Sequence, residues 1–193
     1  MKRRLLTAGL AAAAALAPPT AQPQTPGHAP APVAQAAALD YALAPRQIAA
    51  RTWVIEGAVD DFRPANGCNI INTGFITTGA GVLVINTGTS RLYGEQLRAL
   101  IERTTREPIV QVLHLNLHPD YFLGNQAFAD VPRVATATTR AGMQREAKGY
   151  EDNLYRLCGD WMKGTQALLP DGAVAAPPGG GTLRKIGRAS CRE

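Results

Sequence analysis

Between Pro108 and Asn125 the chain changes character within a few residues, and this junction restricts the folds open to it. Pro108-Ile109-Val110-Gln111-Val112-Leu113 is a short apolar run rich in β-branched residues, the composition of a strand. Polar side chains then fall at every second position: His114, Asn116, His118 and Asp120. If the extended backbone continues, a period of two puts His114, Asn116 and His118 on one face. Pro119 ends ladder pairing, so Asp120 and Tyr121 are expected in the loop beyond the strand. Imidazole and carboxylate gathered where a strand meets a loop suit a divalent metal, and α/β sites open at strand ends.

The two ends of the chain carry other signals. Met1-Lys2-Arg3-Arg4 is a basic start, and Leu5 to Ala17 is an Ala-rich apolar run too short to span a bilayer. Residues 1–21 therefore read as a signal peptide cleaved after Ala21, which predicts export to the periplasm or the medium. Residues 22–38, rich in Ala, Pro and Gln, read as a disordered linker in which His28 is solvated. Gly179-Gly180-Gly181 is expected to turn into a new strand. The last residues, 185–193, resemble a translated sequencing adapter and are read as read-through.

This trimming changes the charge argument. The formal net charge is +5. Without residues 1–21 and 185–193, 14 basic and 14 acidic side chains remain, a balance of zero. Nothing in that balance favours nucleic acid or a membrane surface as partner, and the domain is expected not to be membrane-embedded. Two cysteines remain, Cys68 and Cys158. In an exported protein they either pair or stay as buried thiols, and sequence alone leaves both open.

Leu39 to Ala50 is mildly amphipathic and is read as a short helix or arm. Trp53–Gly57, Asn69–Thr78 and Val82–Asn86 read as strands, the last apolar enough to be buried on both faces. Ser90 is a good N-cap for a helix with Leu92, Tyr93, Leu97, Leu100 and Ile101 on one stripe. Val134–Ala137 reads as a further strand. A helix capped by Thr139 is expected to run to about Lys148, and another from Asn153 to Lys163, with Leu154, Leu157, Cys158, Trp161 and Met162 as core. Leu168 to Pro178 reads as loop. Strands in a meander followed by helix, strand and helices make an α/β layered domain. No Gly-rich phosphate loop is present.

From Trp53 to Trp161 the chain resembles the N-terminal half of a metallo-β-lactamase-superfamily domain. The landmarks are an apolar strand ending in Asp-Thr-Gly, a helix, a strand, then His-x-His-x-Asp-His and a Gly-Asn pair. Asn86-Thr87-Gly88, Asn116-Leu117-His118-Pro119-Asp120-Tyr121 and Gly124-Asn125 stand at these places. Within the superfamily, Ala65-Asn66-Gly67, Gly124-Asn125-Gln126-Ala127-Phe128 and Asn153-Leu154-Tyr155-Arg156 resemble the exported zinc metallohydrolases associated with quinoprotein dehydrogenases, the quinoprotein relay system type. The resemblance implies a metallo-β-lactamase-like αββα sandwich of which residues 39–184 are the N-terminal part. It implies one or two zinc ions, hydroxide attacking an ester, amide or thioester of a small molecule, and a quinoprotein dehydrogenase as partner.

Three motif positions depart from the family pattern: Asn86 replaces Asp, Asn116 replaces His and Tyr121 replaces His. In the family the first two His bind one zinc, and the Asp and last His the other. Carried over, His118 and Asp120 are the expected metal ligands, and Asp120 also orients or deprotonates the attacking water. Asn116, Tyr121, Asn86 and His114 are weaker candidates. An amide oxygen is a poor zinc ligand, a phenol needs deprotonation from about pH 10, and His114 sits ~6.5 Å back along the strand. Asn86 is otherwise expected to bond backbone beneath the site, Tyr121 to wall the pocket, and Asp60-Asp61-Phe62 to form a solvated turn. The remaining ligands are expected beyond residue 184, so this stretch is expected to be inactive alone and to expose an apolar sheet face. The alternative is a non-catalytic binding or accessory module for a periplasmic quinoprotein.

Overall fold

The computed structural model describes residues 38–174. The expected signal peptide, the linker up to Ala37, the Gly179–Gly181 turn and the tail 185–193 lie outside them. Seven strands form one sheet in the order in which they occur in the chain. The first four, β1 (Pro45–Ala49), β2 (Thr52–Ile55), β3 (Thr73–Thr77) and β4 (Val82–Ile85), make an antiparallel meander. The next three, β5 (Ile109–Leu113), β6 (Arg133–Thr136) and β7 (Gly172–Val174), run parallel to β4.

Parallel neighbours need crossovers, and helices supply them. The helix α1 (Arg91–Thr104) joins β4 to β5. Between β5 and β6 lie a short helix, α2 (Pro119–Phe122), and a 3₁₀ segment over Leu123–Phe128. A long helix, α3 (Ala137–Cys158), follows β6. Because successive strands are added in one direction, right-handed crossovers place these helices on one face of the sheet.

That face carries the core. Tyr93, Leu97, Leu100 and Ile101 of α1 bury against Phe75, Val82, Val84 and Val112. Full burial of such a side chain stabilises by about 1.5–3 kcal/mol. The alternate residues Val54, Ile76, Leu83, Ile85 and Leu113 are only half-buried. Val82–Asn86 is therefore not buried on both faces; among the described residues the helices cover one side only.

Several expected elements shift. The stretch Leu39 to Ala50 supplies an edge strand rather than a helix, since β1 pairs with β2 in a hairpin and Pro45 sits where no ladder donor is needed. The strand expected over Asn69–Thr78 is confined to Thr73–Thr77. Asp120 and Tyr121 lie in α2 and not in a loop, because Pro119 opens that helix at a position where its missing N–H costs nothing. The two helices expected after β6 are one, capped by Thr136, whose hydroxyl accepts the Thr139 N–H at 3.1 Å. Gly149 has open space around its Cβ position and does not break the helix. Gly159, at φ 55°, ends it, so Trp161 and Met162 belong to a 3₁₀ turn and Leu157 is left 38% exposed. Part of the expected loop after Leu168 is β7, which adds to the sheet edge.

Cys68 and Cys158 are bonded, with their Cα atoms 6.0 Å apart. The bridge ties the loop before β3 to the end of α3 across 90 residues of chain. Among the described residues no helix is long and apolar enough to cross a membrane.

Candidate functional site

The corner is built from two chain crossings at the ends of β4 and β5. Asn86 leaves β4 with φ 58°, a left-handed conformation that Asn tolerates better than most side chains. It is 2% exposed, and its backbone and side chain both bond to the segment leaving β5. Its N–H donates to Leu113 O at 2.9 Å, while its Oδ1 accepts the Leu115 N–H at 3.1 Å. The substituted motif residue thus grips the exit of β5 from both sides, the backbone role expected for it.

Thr87 makes the next connection. Its N–H donates to Tyr121 O at 2.9 Å, and its hydroxyl donates to Asn125 Oδ1 at 2.8 Å. Asn125 passes the link on by donating to Leu168 O at 2.8 Å. Gly124 N–H meets Gly88 O at 3.0 Å. Here the absence of side chains decides the packing: a Cβ on Gly124 would overlap Thr87 O, and one on Gly94 would overlap Gly124 O. Helix α1 can therefore approach the segment after α2 backbone to backbone.

Held in this frame, the His-x-x-x-His run splits. The strand ends at Leu113, so the period-two face does not extend through His118. His114 is 1% exposed and packs edge-on to Phe122, with ring centroids 6.4 Å apart, whereas His118 is exposed. Burial pushes the His114 pKa down to about 4. The Tyr121 carbonyl and the Asn125 amide oppose that shift from nearby, yet neither ring nitrogen meets hydrogen-bond geometry with them. His114 is a neutral core residue.

His118 precedes α2 with extended backbone, and its N–H donates to Asn116 Oδ1 at 3.1 Å. Asp120 follows, 3% exposed, with Oδ1 buried and without a hydrogen-bond partner. Burial raises its pKa to about 6, against the opposing pull of its own backbone N–H and of nearby His118. Tyr121 is half-buried, and its backbone serves Thr87.

An orphaned carboxylate oxygen with an exposed imidazole two residues away offers two of the donors that a divalent cation takes. The donor set is incomplete, however: among the described residues no three of His, Cys, Asp and Glu converge. Asn86 and Asn116 spend their side-chain oxygens on backbone, and a tetrahedral zinc site needs two more donors than His118 and Asp120 give. The loop at Asp60-Asp61-Phe62 is closed on itself. Asn66 donates to Asp61 O at 2.9 Å and accepts from Cys68 N–H at 2.9 Å, and Phe62 packs beside the buried cluster of Phe122, Met143 and Leu154. Asp60 and Asp61 are solvated, as expected of a turn.

Gly94 and Gly142, whose missing side chains leave room for Gly124 and Leu117, carry little signal in the sequence. Gly inside a helical pattern is the one hint they offer, since it weakens a helix unless something packs against it.

No family model matches the chain, and no curated protein does. Among solved structures it is similar to a metallo-β-lactamase from Hirschia baltica, with a TM-score of 0.50 and 19% identity over 69% of this chain. The likeness covers 52% of that protein, so the chain spans about half its length. At this identity the match establishes the fold: a metallo-β-lactamase-like α/β arrangement.

Proposed function

We propose that the chain is part of an exported metal-dependent hydrolase, with His118 and Asp120 as metal ligands and Asp120 as the catalytic carboxylate. One observation carries this reading. A buried carboxylate oxygen without any partner lies in the short helix that follows β5, two residues from an exposed imidazole, in a fold shared with a metallo-β-lactamase. Such a carboxylate costs several kcal/mol, of order 1–3 or more, unless something binds it.

Zinc, as one or two ions, would supply Lewis acidity and bring the pKa of a water towards ~7. The chain's own residues do the rest. His118 offers a ring nitrogen from an exposed position. Asp120 would orient the attacking water and take up its proton. Ester, amide or thioester bonds of a small molecule are the substrate class. The further ligands come from segments beyond residue 184. Export to an oxidising compartment, periplasmic or extracellular, is supported by the Cys68–Cys158 bridge. Partnership with a quinoprotein dehydrogenase rests on the sequence resemblance at residues 65–67, 124–128 and 153–156 alone.

A second reading has its own support. Asn86 and Asn116 have their amide oxygens committed to backbone, as in a corner kept for shape. On that reading the protein is a non-catalytic accessory module.

Zinc analysis of the purified gene product, with His118→Ala and Asp120→Asn variants, tests the proposal. Stoichiometric zinc lost in both variants, with turnover of an activated ester, supports the hydrolase. Zinc without turnover supports the accessory module, and no zinc overturns the metal site.

A further inference from the structure

Helix α3 touches the corner on both flanks of His118 and Asp120. Gly142 is buried beneath Leu117, and a Cβ there would stand 2.8 Å from Leu117 Cδ2. The missing side chain lets the helix close on the residue just before His118. Two turns further on, Tyr150 meets Phe122 edge to face, ring centroids 6.4 Å apart at 64°. Phe122 is the last residue of α2. Leu117 and Phe122 therefore bracket the run from His118 to Tyr121.

A helix of four residues has no stability of its own, since nucleation costs more than one or two hydrogen bonds return. Packing must hold α2, and with it the Asp120 carboxylate. We propose that α3 is a positioning clamp for His118 and Asp120, acting through Gly142 and Tyr150. The inference rests on the metal-site reading in one respect: the carboxylate so held is the one assigned to the metal.

The Tyr150 ring does this work and its hydroxyl does not. The phenol is close enough to Glu146 and Asp120 for both carboxylates, after burial, to raise its pKa. Even so, Asp120 Oδ1 takes no hydrogen bond from it. Cys158, the last residue of α3, is bonded to Cys68, which fixes the far end of the clamp.

Hydrogen–deuterium exchange and cobalt(II) titration on the purified protein, with Tyr150→Leu, Tyr150→Phe and Gly142→Ala variants, test this. The informative amides are Tyr121, bonded to His118 O at 3.1 Å, and Leu123, bonded to Pro119 O. Tyr150→Leu and Gly142→Ala are expected to speed their exchange about tenfold while α1 amides stay protected. Tyr150→Phe should behave as wild type. Cobalt(II) should bind Tyr150→Leu about tenfold more weakly and with a changed visible spectrum. Unchanged exchange in both Tyr150→Leu and Gly142→Ala overturns the clamp. If exchange changes while wild type binds no cobalt(II), the clamp stands and the metal reading falls. If wild type binds cobalt(II) and Tyr150→Leu matches it in spectrum and exchange, the metal reading stands and the clamp falls.

Discussion

The side-chain oxygen of Asn86 accepts the backbone N–H of Leu115 at 3.1 Å, so a residue at the end of β4 sets the path of the chain as it leaves β5. The same residue holds φ 58°. Asn86→Ala loses both the bond and the tolerance of that backbone, and should destabilise by about 2–3 kcal/mol. Asn86→Gly loses the bond alone and should cost about 1 kcal/mol. Urea unfolding midpoints of the two variants separate the contributions. Equal midpoints would show that the backbone conformation carries no strain.

His114 and Asp120 pull the pH dependence of stability in opposite directions. The His114 pKa falls from 6.5 to about 4 on folding, so the unfolded chain binds the extra proton and stability drops as pH falls through that window. The Asp120 pKa rises from 3.8 to about 6, so the folded chain binds the extra proton and stability drops as pH rises between those values. Between about pH 4 and 6 the two slopes, each up to ~1.4 kcal/mol per pH unit, largely cancel. Asp120→Asn should uncover a stability that climbs from pH 4 to 6.5 in the metal-free protein. His114→Leu should uncover the reverse. Denaturant titrations across this range, with EDTA present, check both signs.

Much of this was legible in the sequence because local chemistry decided it. Ser90 caps α1 as its type suggests, with its hydroxyl accepting the Tyr93 N–H at 3.0 Å, and the α1 stripe faces the core. The region around His114 is not legible in the same way, because Pro119 satisfies two rules at once. It ends a strand, but it also starts a helix, and no local rule chooses between them. Sequence reasoning divides α3 between about Lys148 and Asn153, since propensity cannot show that Leu154 and Met143 bury on one continuous stripe. The pairing of Cys68 with Cys158 depends on a 6.0 Å approach across 90 residues, which no local pattern encodes.

The bridge makes its own prediction. Closing a loop of this length removes entropy from the unfolded chain worth about 4–5 kcal/mol in the chain-entropy account. Cys158→Ser should lower stability by up to that amount and loosen the last turns of α3. Both cysteines are nearly inaccessible, so dithiothreitol should reduce the bond slowly under native conditions and rapidly in urea. Non-reducing peptide mapping with timed alkylation follows the rate. Fast native reduction would show that the loop before β3 opens readily.

Two glycines should respond in opposite senses to the same substitution. Gly124→Ala drives a methyl group into the Thr87 carbonyl, a backbone atom that cannot step aside, and should cost about 3 kcal/mol or abolish folding. Gly149→Ala adds a methyl group to an exposed helical position with nothing near it, and should stabilise by up to about 1 kcal/mol. Thermal melts of the pair give the comparison. A destabilised Gly149→Ala would mean that α3 bends there.

The sheet face opposite the helices carries the last prediction. Val54, Ile76, Leu83, Ile85 and Leu113 lie together on it, each half-buried, while their strand neighbours Phe75, Val84 and Val112 are fully covered. The chain matches only 52% of the length of the Hirschia baltica protein, so nearly half of that molecule has no counterpart here. A contiguous apolar surface of this kind drives association in water. The chain alone should therefore self-associate in a concentration-dependent way, as read by light scattering after gel filtration. Leu83→Lys with Ile85→Lys should shift it towards monomer. Because both positions are only half-buried, the double variant should lose little stability, about 1–2 kcal/mol at most. If association persists unchanged in a folded double variant, the sticky surface lies elsewhere, and the exposed edge at β1 becomes the place to look.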